Sequence, residues 1–541
     1  MQLNPFLELK VKWASYFRVI LQGEFEYNQA REISNSLFDL KPLAIAYPRT
    51  TDDVQLCINY CRDRGQPFRI RSGGHHHEGM SSQNGGMVIR LSDMSMIEYC
   101  NKEKTEAWID VGMKLGSVYD ELAHFNRMIP AGGCFTVNVG GLALGGGWGM
   151  HSRKRGLTCD NVLEIEFVTA DGEMSFANLD HNYKLFKAML GAGQGNFGIV
   201  TRLKFRLSKI GENLTWFRFG WNADQREVVA REWLNIQAQF PKELTSFIRM
   251  TVTKPGDDKR KGDDPRSFSI YGGGLFYGTE KELKTLDGIR QLIEKTNPVE
   301  KNFKPVKKTK ALGLTSASSA ALTFSIADLF GYDDFTMKLT GATALLDAAP
   351  DCKMPAPPSA NCNVPHPHKV SSAFPKGKGE EYNAKIAKAI AQYLDNSTYD
   401  PNVRSYMTFH AMGGEIDQAP SYQRTFAFEE KEFLLQFQSW WNYPEDQRSD
   451  QGKVCMDKIK EIEKAYVEWV KQFRANLAHQ ELVTGAFINF VDKDLPDFGK
   501  GKEGLLYHYF GNHLYDLQDL KQQHDPKNLF DFEMSIPLGP D

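Results

Sequence analysis

The sequence predicts an α+β fold with a broad antiparallel sheet backed by helices. Between residues 209 and 500, strand-like runs of residues alternate with long amphipathic helices, which is typical of that architecture. Residues 1–208 have a different character, with glycine clusters between short segments of alternating polar and apolar residues. A chain of 541 residues is long for one core, so two domains are expected over these two ranges.

The first range gives several local predictions, although residues 1–40 have no clear pattern. Thr50 and Asp53 form a capping-box pattern, and Val54, Cys57, Ile58 and Cys61 then mark one face of a helix. A second helix is predicted over 115–125, and Asp171-Gly172 signals a tight hairpin. Strands are predicted at 67–71, 87–91, 107–111, 163–167 and 199–207.

The second range is divided by the same periodicities. Strands are predicted at 214–221, 245–253, 267–277 and 432–440. Helices are predicted near 225–239, 280–296, 380–395 and 453–476. The segment 347–378 is rich in proline and has few periodic apolar residues, so a loop or insertion is expected there.

Charge and hydropathy exclude several classes of protein. A net charge of −3 gives no electrostatic case for binding nucleic acid or a membrane surface. No apolar run of about 18 residues predicts a spanning helix. The first ten residues lack a basic start before an apolar core, so no signal peptide is expected, and a cytoplasmic location follows. The eight cysteines are scattered and are expected to be mostly reduced, although Cys352 and Cys362 could pair in an exported protein.

Two glycine-rich stretches carry the clearest sign of chemistry. Gly73 and Gly74 can turn their N–H groups onto one ligand, and the nearby side chains of Arg69 and Arg71 add positive charge, which suits a pyrophosphate. The glycines between 140 and 149 allow a second close approach, wide enough for a flat ring. His75 and Cys134 place one nucleophilic side chain at each stretch.

These motifs resemble the berberine-bridge-enzyme-like branch of the vanillyl-alcohol-oxidase flavoproteins. Residues 71–79 match the R-S-G-G-H-x-x-E-G motif, and residues 134–147 match C-x-T-V-x-V-G-G-x-x-x-G-G-G. The resemblance continues through Asp160-Asn161, through 195–201 and through 509–512, and it therefore spans nearly the whole chain. It implies a two-part FAD-binding domain of the PCMH type, with a core at about 38–208 and residues 501–541 returning to it, around a substrate domain at 209–500.

The resemblance also implies FAD held by two covalent bonds, from His75 to the 8α-methyl group and from Cys134 to ring carbon 6. Val137 falls where a small residue in the family leaves space for O₂ beside the flavin. The further residues that the resemblance places against the cofactor are Arg71, Ser72, Gly73, Gly74, Gly79, Gly140, Gly141, Gly145, Gly146, Asn161, Gly195, Gly198, Ile199, Val200 and Asn512.

Two other interpretations of these motifs are rejected. Residues 193–198 match GxGxxG, but a helix-like segment precedes them and a strand follows, the reverse of a dinucleotide fingerprint. The three histidines 75–77 resemble a metal tract, but alternate side chains of an extended segment diverge, and no acid or cysteine stands at ligand spacing. No metal is therefore expected, and His76 is expected to point away from His75 and His77.

The proposed catalytic residues include one departure from the family. Trp148 falls where relatives usually have tyrosine beside the ring, and Gln436 falls where they carry a Gln or Glu that helps the base. Phe490 occupies the position of the tyrosine that takes the substrate proton, and a phenyl ring cannot do this. His77 is the first candidate to replace it, because imidazole titrates near neutrality. Glu415 and Tyr406 are weaker candidates.

The resulting function is an FAD-dependent oxidase. It is expected to pass a hydride from an alcohol, a sugar or a secondary metabolite to flavin N5, and O₂ is expected to reoxidise the flavin to give H₂O₂. The flavin supplies the difficult chemistry and the protein supplies orientation. A covalent-flavin dehydrogenase with another acceptor, and a flavin-carrying cyclase or binding protein, remain open alternatives. The expected partners are a small-molecule substrate and O₂, with a monomer or homodimer as the assembly.

Overall fold

The computed structural model of the protein describes residues 4–306, 365–418, 424–428, 430–443 and 450–539, together with the backbone of four short stretches between residues 308 and 354. No helix in these ranges is long and apolar enough to cross a membrane. The expectation for a Cys352–Cys362 pair falls on side chains outside the described residues.

The first sheet has four strands in the order β1-β2-β4-β3. Its two pairings with β4 are parallel, and β1 runs antiparallel to β2. The strands are β1 (Arg18–Leu21), β2 (Ala44–Tyr47), β3 (Phe68–Arg71) and β4 (Met87–Arg90). The helices beside them are α1 (Leu7–Lys12), α2 (Tyr27–Arg31) and α3 (Thr51–Asp63). The capping box predicted at Thr50 is confirmed, because its hydroxyl oxygen accepts from the N–H of Asp53 and the Asp53 carboxylate accepts from that of Thr50.

The second sheet is antiparallel and has the order β5-β6-β10-β8-β9. Its strands are β5 (Ile97–Tyr99), β6 (Glu106–Asp110), β8 (Val162–Val168), β9 (Met174–Asn178) and β10 (Ile199–Arg206). A small antiparallel pair joins β7 (Arg127–Met128) to β11 (Ser208–Lys209). The accompanying helices are α4 (Leu115–Ala123), α5 (Val139–Leu144), α6 (Ser152–Arg155) and α7 (Tyr183–Ala192). Since α7 precedes the GxGxxG stretch and β10 follows it, rejection of the dinucleotide fingerprint is confirmed.

The third sheet has eight antiparallel strands in the order β15-β12-β14-β13-β21-β22-β20-β23. These are β12 (Thr215–Trp221), β13 (Leu244–Thr251), β14 (Ile270–Phe276), β15 (Glu300–Pro305), β20 (His368–Pro375), β21 (Val403–Ala411), β22 (Phe433–Trp441) and β23 (Val483–Thr484). Two short pairs lie outside this sheet, formed by β16 (Lys308–Lys310) with β17 (Leu322–Phe324) and by β18 (Ala344–Leu346) with β19 (Ala349–Met354).

Helices cover one face of the eight-stranded sheet, so the predicted architecture is confirmed. They are α8 (Arg226–Gln237), α9 (Glu280–Thr285), α10 (Asp287–Thr296), α11 (Glu380–Asp395) and α13 (Asp450–His479). The short helix α12 (Glu415–Gln418) lies instead beside α6, and its Ile416 packs into the core of the first two sheets. Successive side chains of each strand point to opposite faces of the sheet, as the pleat requires. Met407, Phe409 and Ala411 of β21 pack into the helix-side core, whereas Tyr406 and His410 face away from it.

The C-terminal residues pack against the N-terminal part of the chain. They form α14 (Gly501–Phe510) and α15 (His513–His524), and many of their apolar side chains belong to the core of the first two sheets. Lys521 Nζ donates to the carbonyl oxygen of Asn196, and the N–H of Ile536 donates to Asn196 Oδ1. This end therefore fixes the loop before β10, beside the second glycine-rich region.

The loop predicted over 347–378 is wrong for two stretches, which are β19 and β20. The residues of β20 are buried along its whole length but include His368, Lys369, Ser371 and Ser372. Because these buried positions are polar, their hydropathy gives no strand signal, and the prolines around them suggest a loop. Strands β15 and β21 were also missing from the sequence prediction.

Candidate active site

A cavity of about 340 Å³ lies between the glycine-rich loops and the uncovered face of the eight-stranded sheet. The loop after β3 and the loop before α5 line one side of it. Alternate residues of β13, β21 and β22 line the other side. The cavity therefore joins the two glycine-rich stretches to a sheet face from the other half of the chain.

His75 is held by the second loop. Its Nε2 lies 3.1 Å from Oγ1 of Thr136, two residues after Cys134. Among the described residues, Nδ1 of His75 has no hydrogen-bond partner. Burial lowers the pKa of His75 to about 4, so the ring is neutral at pH 7 and keeps a lone pair. A neutral imidazole with one engaged nitrogen is suited to form a bond through the other.

Cys134 lines the same cavity but is disulfide-bonded in the structure. Four cysteines with described side chains, Cys57, Cys61, Cys100 and Cys159, are free. The cysteines were expected to be mostly reduced, and Cys134 is an exception. A sulfur atom cannot hold a disulfide and a flavin thioether together, so attachment at Cys134 requires the thiol to be released first.

The glycines of the two loops have two roles, which are close packing of the loops and open space beside the backbone. A Cβ on Gly73 would lie 2.8 Å from the backbone nitrogen of Asn138, and one on Gly140 would lie 2.7 Å from Cβ of Val111, so these glycines let the loops pack closely. By contrast, a Cβ on Gly141 would meet nothing within 4 Å and would project into open space. This arrangement fits an FAD, because the two loops pack closely, Gly141 borders open space and one nitrogen of His75 is not hydrogen-bonded.

The structure brings most of the predicted site residues to this cavity. Those that line it are Ser72, Gly73, Gly74, His75, His77, Cys134, Val137, Gly140, Gly141, Trp148, Gly195, Gly198, Val200, Gln436 and Phe490. Those that lie away from its lining are Arg71, Gly79, Gly145, Gly146, Asn161, Ile199 and Asn512.

Arg71 differs most from the expectation. Its guanidinium is buried and donates to the carbonyl oxygens of Ala30, Glu32 and Ser81 and to Oγ of Ser82. Those donors are occupied by main-chain and hydroxyl oxygens, so Arg71 ties the loop to the segment after α2. Arg69, by contrast, lines the cavity.

His77 and His368 form a hydrogen-bonded pair. Nδ1 of His368 lies 2.8 Å from the carbonyl oxygen of His366 and must therefore carry the hydrogen. This leaves Nε2 of neutral His368 as an acceptor, 3.0 Å from Nδ1 of His77. His77 then donates from Nδ1, and its Nε2 keeps the lone pair, with no partner among the described residues. Burial first, and then the neighbouring imidazoles, lower the pKa of His77 well below its usual range.

His410 and Gln436 form a second pair on the sheet face. Nε2 of His410 lies 3.0 Å from Oε1 of Gln436, and Nδ1 of His410 is buried without a hydrogen-bond partner. Burial lowers the pKa of His410 to about 4. The Trp148 ring lies edge-on to His410, 4.5 Å away, and its indole N–H donates to the carbonyl oxygen of Ala411. Trp148 therefore presents only ring carbon atoms to the cavity.

Phe490 lies between the two imidazoles. Its ring centroid is 6.3 Å from that of His77 and 5.9 Å from that of His410. The position that lacks a phenol is therefore flanked by two neutral nitrogen bases. His76 also lines the cavity, which corrects the expectation that it points away, because residues 74–79 form turns rather than a strand. Its Nδ1 accepts from the N–H of Glu78.

The two weaker base candidates have other partners. Glu415 is paired with Lys242 and does not line the cavity. Tyr406 lines the cavity, and its hydroxyl donates to Oε1 of Gln438 at 3.0 Å. Burial raises the pKa of Tyr406, which keeps it a donor at neutral pH.

A buried ion cluster lies directly behind the histidine pair. Nζ of Lys369 lies 2.6 Å from Glu78, 2.6 Å from Asp492 and 2.9 Å from Asp494. Lys369 follows His368 and Glu78 follows His77, so the cluster fixes the two segments that carry the imidazoles. Burial raises the pKa of Glu78 to about 7 despite the nearby ammonium. No group of three or more His, Cys, Asp or Glu side chains suited to a metal occurs in the described part of the chain.

The sequence analysis missed His368, His410 and Arg249 among the lining or supporting residues. A signal for His410 exists, because it has the parity of Tyr406 on a strand where Met407, Phe409 and Ala411, of the opposite parity, are apolar. No signal marks His368, which lies in the proline-rich segment.

Two family models match the chain. "FAD binding domain" matches residues 42–177, and "Berberine and berberine like" matches residues 486–537. An uncharacterised FAD-linked oxidoreductase of Bacillus subtilis (strain 168) is 26% identical over 524 residues, covering 96% of each chain. Berberine bridge enzyme-like 23 of Arabidopsis thaliana is 26% identical over 522 residues, covering 92% of this chain and 84% of the relative.

Solved structures with the same fold include Physcomitrella patens BBE-like 1, with a TM-score of 0.76, 23% identity, and 98% and 100% of the two chains covered. Glucooligosaccharide oxidase from Acremonium strictum gives a TM-score of 0.72 at 20% identity, over 97% of this chain and 98% of that one. Its flavin is described as 6-S-cysteinyl, 8α-N1-histidyl FAD.

Proposed function

We propose that this chain, an FAD-linked oxidoreductase of the berberine-bridge-enzyme-like group, is an oxidase with a covalently tethered FAD. One observation carries the proposal. A single cavity joins the loops that bear His75 and Cys134 to a sheet face that bears His410 and Gln436, with His77 at the junction. A cofactor held on the first side would meet a substrate held on the second.

His75 is the first attachment point in this proposal. Its Nδ1 has no protein partner in the described residues, whereas Nε2 is held by Thr136, so Nδ1 is the nitrogen that bonds the flavin. Cys134 is the second attachment point once its disulfide is reduced. The doubly linked flavin of the glucooligosaccharide oxidase supports this pair of residue types.

We assign residues 1–208 and 501–541 to the cofactor-binding part and residues 209–500 to the substrate-binding part. The shared core of the first two sheets with the C-terminal helices supports this division. The eight-stranded sheet, which starts at Thr215, has a separate helix-side core.

When bound, FAD would supply the acceptor for the hydride equivalent of the substrate and a route for the electrons to O₂, with H₂O₂ as the product. The chain must take up the accompanying proton. Nε2 of His77 is the proposed acceptor, because the hydrogen bonds from His77 to His368 and from His368 to the His366 carbonyl leave its lone pair on the cavity side. His77 and the other lining imidazoles are neutral at pH 7, so the acceptor is in its reactive form.

Gln436 orients the substrate oxygen in this proposal. Its Oε1 is engaged by His410, so its amide N–H groups remain to donate to a substrate hydroxyl or carbonyl. The rings of Trp148 and Phe490 supply apolar walls that exclude water from the reacting carbon.

O₂ is the proposed acceptor because Val137 lines the cavity three residues after Cys134 and is small. A dehydrogenase using another acceptor, or a cyclase or binding protein without net oxidation, would share the same cavity. These alternatives differ from the oxidase in what happens to the bound flavin.

Flavin absorbance distinguishes the three. Purified holoprotein is mixed without oxygen with a panel of alcohols, sugars and phenolic or alkaloid metabolites, and air is then admitted. Bleaching by at least one compound, followed by rapid return of the yellow colour and one H₂O₂ per flavin, supports the oxidase. Bleaching that persists in air but reverses with a quinone supports the dehydrogenase. No bleaching by any compound that binds contradicts both.

A further inference from the structure

Arg249 stands out among the buried cations of the sheet face, and the half-buried Arg404 lies near it on β21 without lining the cavity. Arg249 is 8% exposed and lines the cavity, and its Nε is buried without a hydrogen-bond partner. Its guanidinium carbon lies 4.9 Å from the centre of the Tyr406 ring, and that of Arg404 lies 5.8 Å from the same ring. Neither guanidinium donates a hydrogen bond or meets a carboxylate within the described residues. Burial, and then the charge of Arg249, lowers the pKa of Arg404 to about 10, so Arg404 remains cationic at pH 7.

Other buried cations of the described chain pair with a carboxylate or donate to main-chain carbonyl oxygens. Lys369 has three carboxylates, Lys521 has Asp525, and Arg424 has Asp160. Arg153 and Arg474 donate to main-chain carbonyl oxygens. A buried charge without such partners is costly, and stacking on one tyrosine offsets only part of that cost. The unmatched pair therefore indicates an anion that comes from outside the chain.

The strand register gives the distance from Arg249 to Gln436, the residue proposed to orient the reacting part of the substrate. Arg249 of β13 lies opposite Thr408 of β21, and Thr408 lies opposite Gln436 of β22. Two strand spacings separate Arg249 from Gln436, which is roughly 9–10 Å between backbones. Thr408 stands between them, and the lining around this row includes the aromatic side chains of Tyr406, Trp440 and Phe247 together with Gln438.

We propose that Arg249 and Arg404 form an oxyanion subsite, so that the substrate is an apolar or aromatic molecule with a carboxylate or phosphate group roughly two ring widths from the reacting carbon. This inference deepens the proposed function, because it assigns a chemical class to the substrate of the same cavity. A guanidinium pair suits both oxyanions, since each planar fork can donate two parallel N–H bonds. A neutral sugar or a cationic alkaloid would leave the two charges unmatched.

Calorimetric titration of the holoprotein tests the subsite without turnover. Benzoate and phenyl phosphate are the anionic probes, and benzamide and benzyl alcohol are their neutral counterparts. At least one anion should bind at least about 10-fold more tightly than both neutral probes, and its affinity should fall as salt rises. Arg249→Gln and Arg404→Gln should each weaken anion binding by roughly 10- to 100-fold and leave benzyl alcohol unaffected.

Three controls keep the result interpretable. Arg290→Gln removes one exposed arginine outside the cavity and should not alter binding. Arg249→Lys keeps the charge but loses the planar fork and should retain part of the affinity. Flavin content and circular dichroism establish that each variant is folded. Equal affinity for anions and neutral probes, or anion binding that survives both Gln substitutions, would overturn the subsite. Because no turnover is measured, that outcome is separate from failure of the oxidase assay.

Discussion

Nδ1 of His77 lies 3.0 Å from Nε2 of His368, and this contact, with the His366 carbonyl on the other nitrogen of His368, sets the hydrogen position on both rings. His368 is fixed in turn by the carbonyl oxygen of His366 and by stacking on Trp440, 4.0 Å away. His77 lines the cavity, and its Nε2 has no hydrogen-bond partner among the described residues. Position 490 lacks the phenol, and this arrangement offers another proton acceptor beside it.

Replacing His77 tests the acceptor directly. In His77→Ala, flavin reduction by substrate should fall by roughly 10²- to 10⁴-fold, the range for loss of a general base, while FAD remains attached. His76→Ala is the matched control, because His76 also lines the cavity but its Nδ1 is occupied by the Glu78 N–H. An unchanged reduction rate in His77→Ala would exclude the role. A rate gain in Phe490→Tyr would then indicate that proton transfer has been lost rather than moved.

The pH dependence of reduction should reflect the lowered pKa of His77. An unperturbed imidazole would lose activity near pH 6.5. Because burial and neighbouring imidazoles lower this pKa, the reduction rate should stay flat from pH 8 through 6.5 and fall only at lower pH. Stopped-flow absorbance across pH 5–8 measures it. A midpoint at or above pH 6.5 would contradict the neutral, buried state of His77.

His368 should act through His77. His368→Phe preserves a ring on Trp440 but removes the acceptor for the His77 Nδ1 hydrogen, so either tautomer of His77 becomes accessible. The reduction rate should fall by about 10- to 100-fold, the usual effect of losing such a supporting contact, with little change in substrate affinity. In the His77→Ala background the same substitution should have almost no further effect on the rate. Additive losses would mean that His368 contributes independently.

Local patterns predicted much of the fold. The helix after Thr50 and the strands of 163–167 and 199–207 follow from capping and alternation, because these signals lie within a few residues of each other. Strand β20 did not follow, since Lys369, Ser371 and Ser372 are buried by partners distant in the chain. The pairing of buried Lys369 with Glu78 and Asp492 cannot be inferred from the residues next to it in the sequence.

The site was predictable where motifs place residues together. His75, Cys134 and Gln436 line one cavity, as the resemblance implied. Arg71 was assigned to the cofactor from the family motif and its charge, but its guanidinium donates to the main chain at the end of α2. His368 was missed because its role depends on a side-chain contact with His77, which is 291 residues away in the chain. Arg249 was missed because its role depends on the pairing of β13 with β21.

Val137 should control the reaction with O₂. Val137→Leu adds one methylene at the cavity wall, and in close-packed surroundings even one methylene changes the available space. Reoxidation of the reduced flavin in air should become slower, while substrate reduction of the flavin stays the same. Val137→Ala is the matched control and should reoxidise at least as fast as the natural protein. Slow reoxidation in the natural protein, with no change in Val137→Leu, would refute this role.

Folding stability should fall in acid because several imidazoles are buried in their neutral form. Burial lowers the pKa of His75, His76 and His410 to about 4, and that of His368 to about 3, from an ordinary 6.5. Groups with depressed pKa values contribute stability above pH 6.5, and it is lost as pH falls from 6.5 through about 4. The raised pKa of Glu78 has the opposite effect, because it increases the folding stability as pH falls from about 7 to 4.5. Glu78 is a single group, whereas several imidazoles are buried.

Urea unfolding at pH 7.5, 6.0 and 5.0 measures this loss. The midpoint should decrease at each step, and His410→Gln should flatten the dependence. Substitution of the exposed His181 by Gln should not flatten it. A midpoint that is constant or rises toward pH 5 would contradict the buried neutral imidazoles.

The attachment of the cofactor tests the account most directly, because it requires no knowledge of the substrate. Purified protein, prepared with and without a thiol reductant during flavin loading, is denatured in acid, and the precipitate is digested for peptide mass spectrometry. The account predicts a yellow precipitate with flavin on His75, and flavin on Cys134 that increases when the disulfide is reduced. His75→Ala should keep only the Cys134 bond, Cys134→Ala only the His75 bond, and the double variant neither. A colourless precipitate, with all FAD in the supernatant under both conditions, would contradict the proposal of a tethered flavin.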